Sequence, residues 1–163
     1  MAIDAPQIIE NQTVQEVPSL LIPIVDSMLI VPSVSVAEMV PYTAPTPTPG
    51  APDWYMGEFI WRDRAVPLLS YEAINGGARP TQLESCRIAV FNNTGVSEEL
   101  PFVGLLTQGI PRMARVNPDE ISQLQDAMTK PYQAMQVSLS GETAEIPDVA
   151  ALEQACLDYR RLC

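Results

Sequence analysis

Apolar positions along the chain fall in short runs separated by turn residues, and only the last stretch has sustained helical spacing. Val17–Val25 reads as a strand, with Pro23 limiting its ladder bonding. Asp26-Ser27 is a tight turn, and Met28–Val31 is the returning strand. Val34, Val36 and Met39 call for partial burial with Glu38 facing the other way, a pattern that fits one helical turn or an irregular strand. In Trp54–Ser70 an apolar run meets the charged cluster Arg62-Asp63-Arg64 and a second apolar run follows, which predicts a β-hairpin with packed arms and a wet tip. Leu69–Ile74 reads as a short helix stopped by Asn75-Gly76-Gly77. After the polar connector Ala78–Ser85, strands are expected at Cys86–Phe91, Leu100–Thr107 and Arg112–Val116. Residues 117–130 suit a short helix or a turn-rich loop. Tyr132–Leu139 alternates, with Met135, Val137 and Leu139 on one side, and turns at Ser140-Gly141-Glu142 into Thr143–Ile146. Asp148–Arg161 is the terminal helix, with Val149, Leu152, Ala155, Cys156 and Tyr159 along one face and Arg160-Arg161 near its C-terminus.

Many short strands, few helices and no βαβ repeat predict an all-β, barrel-like architecture. At 163 residues the chain is expected to form one domain, residues 17–163, behind a loose tail, residues 1–16. Pro41–Pro52 holds five prolines in twelve residues and must be extended or turn-like. Its flanks are too short for separate cores, so it is expected to be a rigid loop within the domain. A Pro-rich ligand for an aromatic-lined module is the other reading of this segment.

Charge narrows the partners. Nine Lys+Arg against twenty Asp+Glu give a net charge of -11, which disfavours nucleic acid and anionic membrane surfaces. No apolar run is long enough to span a bilayer, and the first residues lack a basic secretory n-region. Three cysteines, Cys86, Cys156 and Cys163, fit reduced cytoplasmic thiols better than a disulfide framework.

Candidate chemistry is sparse. The absence of histidine removes the commonest general base and metal ligand, and with it every Ser-His-Asp or Cys-His arrangement. There is no CxxC pair, no GxGxxG and no phosphate-cradling GKS/T element, so neither a metal nor a cofactor is expected. The adjacent acids Glu98-Glu99 and Asp119-Glu120 lie in polar loops, with nothing to push their pKa values apart. Recognition is what remains. Trp54, Tyr55, Met56, Phe59 and Trp61 surround the first two basic residues of the chain, Arg62 and Arg64, and such residue types are enriched at interface centres. Alternation puts Phe59 and Trp61 on one face and Met56, Glu58, Ile60 and Arg62 on the other, so one face can serve the core and the other a partner. The plainer reading is a solvated turn above a core hairpin.

The same residues resemble the CheW-like family, the adaptor domain of bacterial chemosensory arrays. Pro52-Asp53-Trp54-Tyr55-Met56-Gly57 and Arg62-Asp63-Arg64-Ala65-Val66-Pro67-Leu68-Leu69 follow its central pattern. Leu21-Ile22-Pro23-Ile24, Leu29-Ile30-Val31-Pro32, Glu38-Met39-Val40, Arg115-Val116 and Ile146–Leu152 match in order, so the resemblance covers roughly residues 17–160. Two departures fall on the hairpin: Ile60 replaces the usual polar residue two before the arginine, and Asp63 the usual glycine after it. Leu100–Val116, with the proline-rich entry, looks closest to adaptor-like proteins of type IV pilus chemosensory systems.

The resemblance implies two intertwined SH3-like five-stranded β-barrels with a C-terminal helix and no catalysis. It implies a cytoplasmic adaptor, recruited to membrane-associated arrays, that couples the cytoplasmic tip of transmembrane chemoreceptors to the regulatory domain of a CheA-type histidine kinase. Glu38, Met56, Gly57, Glu58, Ile60, Arg62, Asp63 and Arg64 are then the expected interaction residues, with Glu38 and Arg62 paired across neighbouring segments. A β-barrel interaction module outside chemosensing and a carboxylate-based enzyme are the two alternatives.

Overall fold

A computed structural model describes residues 16–125 and 129–162. Residues 1–15 of the expected tail, part of the 117–130 segment and Cys163 lie outside the described residues.

The chain forms eleven described strands and two α-helices. β1 (Val17–Ile24) and β2 (Ser27–Pro32) form a hairpin that turns at Val25-Asp26, where Asp26 takes φ +60°. After one 3-10 turn at Ser33–Ser35 come β3 (Val36–Pro41), β4 (Tyr55–Trp61) and β5 (Arg64–Leu69), so the stretch around Glu38 is a strand rather than a helical turn. Ser70 caps α1 (Tyr71–Ile74) by accepting the Ala73 N–H. β6 (Arg87–Asn92), β7 (Phe102–Thr107), β8 (Arg112–Val116) and β9 (Ile121–Gln123) follow. β10 (Gln133–Leu139), β11 (Glu142–Pro147) and α2 (Val149–Leu162) complete the chain. The Asp148 carboxylate accepts the Ala151 N–H and fixes the start of α2.

Two sheets result, ordered β8-β1-β2-β11-β10-β9 and β3-β6-β7-β5-β4. The chain starts in the first, builds the whole of the second, and returns to the first at β8, so the sheets are intertwined as expected. The first sheet has a sixth strand because β9 pairs with β10. Its sequence, with Ser122 and Gln123 outward, shows no strand signal of its own, and tertiary pairing decides the conformation.

The second sheet curls until its edges meet. β3 and β4 are at opposite ends of the strand order, yet Thr46 and Glu58 exchange both backbone hydrogen bonds, at 2.8 and 3.1 Å. The proline-rich segment is therefore one wall of this barrel. Inside it Phe59, Trp61, Val66, Leu68, Ile88, Val90 and Leu106 pack together. Leu21, Ile30, Val116, Val137, Leu139 and Ala144 fill the first barrel. A third cluster lies between them, where Ile22, Leu29, Leu69, Phe91, Val103 and Leu105 meet Leu152, Cys156 and Leu157 of α2. Central strands thus bury both faces, one in a barrel and one in the shared core. That is why Leu20–Ile24, Ile88–Phe91 and Val103–Leu106 are continuous apolar runs rather than alternating ones.

Candidate protein-interaction site

The hairpin of β4 and β5 turns in two residues, with Trp61 opposite Arg64 and both Arg62 (φ +49°) and Asp63 (φ +64°) in the left-handed region. Two positive φ values in a two-residue loop define a type I′ turn, whose twist suits the flanking strands. Asp tolerates that region, whereas an arginine there is unusual. Arg62 is held by its side chain. Its Nη2 donates to Glu38 Oε1 at 3.0 Å, and its guanidinium lies 4.6 Å from the Trp61 ring centroid. Trp61 Nε1 donates to the same Glu38 oxygen at 3.0 Å. Glu38 on β3 thereby ties one edge of the barrel to the tip grown from the other. Both charged side chains stay open to solvent, at 66% for Arg62 and 43% for Glu38.

Arg64 lies on the opposite strand, with its guanidinium 5.8 Å from the Phe102 centroid, and Phe102 meets Trp61 edge-on at 4.7 Å. Ile60, 69% exposed, stands on the outer face of β4. The structure therefore brings together Glu38, Ile60, Arg62, Asp63 and Arg64 at one end of the barrel. Three expected residues lie elsewhere. Met56 is buried with Phe59 and Trp61, because a bulge between Tyr55 and Gly57 breaks the alternation that would have turned it outward. Gly57 is also buried, and a Cβ there would collide with the Thr46 carbonyl. Glu58 faces the terminal helix, accepting from Arg160 Nη2 at 2.7 Å.

Sequence reasoning missed the buried carboxylates. Glu145, on β11, accepts from the Tyr71 hydroxyl at 3.1 Å and from Lys130 Nζ at 2.9 Å. Burial acts to raise its pKa, but donors led by Lys130 and Ser27, with the Lys130 charge, outweigh it and hold the carboxyl below its ordinary value. Burial and the facing Glu145 push the Tyr71 hydroxyl well up, so it stays a donor. Glu153 on α2 accepts the Thr94 N–H and hydroxyl, yet burial leaves its carboxyl raised. These groups are satisfied within the fold. In a cleft of about 490 Å3, Lys130 is committed to Glu145 and Glu72 Oε2 accepts the Val25 N–H. Burial raises the thiols of Cys86 and, to about 11, Cys156, which keeps both protonated and inert. Among the described residues no group of three or more Cys, Asp or Glu is placed to hold a metal. No described helix is long and apolar enough to cross a membrane.

Comparison with known proteins gives two positive findings. The family model described as the CheW-like domain matches residues 18–156. The solved structure of the scaffolding protein TtCheW from Thermoanaerobacter tengcongensis superposes with a TM-score of 0.68 at 13% identity, covering 81% of this chain and 84% of that one. No curated protein matches the chain in sequence.

Proposed function

We propose, from the premise that the chain belongs to the CheW-like domain family, that it is a non-catalytic chemosensory adaptor. It joins the cytoplasmic tips of chemoreceptors to the regulatory domain of a CheA-type histidine kinase. The described relative is itself called a scaffolding protein. The system served is a type IV pilus chemosensory system controlling twitching motility, a reading that rests on the resemblance of Leu100–Val116 together with the proline-rich entry. The protein works in the cytoplasm, recruited to receptor arrays.

One observation carries the role of the hairpin. Arg62 occupies a backbone conformation that arginine rarely adopts, and Glu38 and Trp61 hold it there with its charge facing solvent. A guanidinium fixed in advance loses little freedom when a partner covers it. Exposed Ile60 beside it adds apolar area without a desolvation penalty. Affinity purification of the chain from its native cell, followed by identification of bound proteins, tests the assignment. A chemoreceptor and a histidine kinase are expected together, with the kinase losing its association when the receptor-free chain is competed with excess kinase regulatory domain. Recovery of neither partner contradicts the proposal.

A further inference from the structure

Arg64 belongs to a chain with twenty acidic residues and nine basic ones, yet among the described residues its guanidinium makes no ion pair and no hydrogen bond. It rests over the Phe102 ring at the mouth of a pocket of about 280 Å3. Arg160, reaching in from α2, lines the same pocket. The apolar wall is Val66, Leu100, Pro101 and Phe102, of which Val66 and Leu100 are each only 2% exposed. Glu99 is the one acidic residue in the lining. The Arg160 charge is shared with Glu58, so Arg64 supplies the uncommitted positive charge.

We infer that this pocket receives an acidic peptide segment of a partner protein, a carboxylate meeting the Arg64 guanidinium while a neighbouring aliphatic side chain enters beside Leu100 and Phe102. A planar guanidinium with all its donors free can take a carboxylate in two parallel hydrogen bonds. Its cation–π contact with Phe102, at 5.8 Å, leaves those donors free. The volume suits one aliphatic side chain and not a large cofactor. Glu99 opposes an acidic ligand, so its charge limits affinity. The inference does not rest on the adaptor assignment, because Arg62 is tied to Glu38 whereas Arg64 addresses a different cavity.

The probe is an N-acetylated, C-amidated Leu-Glu-Leu-Glu peptide, titrated at low salt into the isotope-labelled full chain while backbone amide shifts are followed. Saturable shifts are expected at the amides of residues 64–66, 99, 100 and 102. Arg64→Gln should weaken binding about two- to fivefold, the scale of one charged pair at a partly exposed site. Glu99→Gln should strengthen it, a sign that loss of fold could not imitate. Arg115→Gln, which removes an exposed arginine elsewhere, should leave it unchanged. The matching Leu-Gln-Leu-Gln peptide should not bind. Absence of saturable shifts at these residues overturns the inference. Equal binding of the two peptides, or an Arg64→Gln effect no larger than that of Arg115→Gln, overturns it as well.

Discussion

Gly57 sits at φ +127° with its α-carbon against the Thr46 carbonyl, where the proline-rich wall crosses β4. Gly57→Ala places a methyl group into backbone that cannot yield and forces a strained φ, so urea denaturation should show a loss of about 1–3 kcal/mol. Glu145 gives a pH signature. Its folded pKa lies below its unfolded one, so its contribution is present above the unfolded value of about 4.3 and is lost as pH falls through the lower folded value. Lys130→Met removes the chief donor and should cost about 1–3 kcal/mol at pH 7, discounted for a lysine that is half exposed. The gap between wild type and variant should then narrow on acidification below about pH 4, as urea midpoints at stepped pH would show. A gap that stays constant with pH would contradict the assignment. The sequence makes the hairpin arginines legible as isolated bases in an acidic chain. Glu145 and Glu153 were not legible, because their partners Tyr71, Lys130 and Thr94 are brought to them only by the fold.

At the scale of elements, the β4–β5 hairpin depends on a turn whose two central residues both have positive φ and neither is glycine. Asp63→Gly should therefore leave stability unchanged or raise it by up to about 1 kcal/mol, measured by thermal melting, since glycine adopts that region without steric penalty. A destabilisation of similar size would mean that the Asp63 side chain holds the turn. Strands with continuous apolar runs, such as β1, β6 and β7, were readable because both faces are buried. The terminal helix was readable from its stripe and from Asp148, which proves to be its cap. One element and one side-chain orientation were not. β9 has no pattern of its own and exists by pairing with β10. The outward reading of Met56 failed at a bulge, and period-two alternation carries no mark of where an extra residue enters a strand.

Across the whole molecule, one shared core joins both barrels and α2, so neither barrel is an independent unit. Leu152, fully buried among Ile22, Tyr55, Phe91 and Val103 in that cluster, should cost about 2–5 kcal/mol when changed to Ala. Unfolding followed by tryptophan emission from Trp54 and Trp61 and by far-UV circular dichroism should share one midpoint in wild type and variant alike. Separate midpoints would show that the barrels melt one at a time. With one shared core, the proposed adaptor role is a property of the surface, and stability and binding should separate at Arg62. The Glu38–Arg62 pair is exposed and is worth only about 0.2–1 kcal/mol to folding. Covered by a partner, a guanidinium of this kind costs about 2–5 kcal/mol when lost. The most direct measurement is calorimetric titration of wild type and Arg62→Glu with the cognate kinase regulatory domain and receptor tip, alongside thermal melting of both proteins. The account predicts a near-unchanged melting temperature, with affinity for at least one partner reduced at least about tenfold. Unchanged affinity for both partners would contradict it.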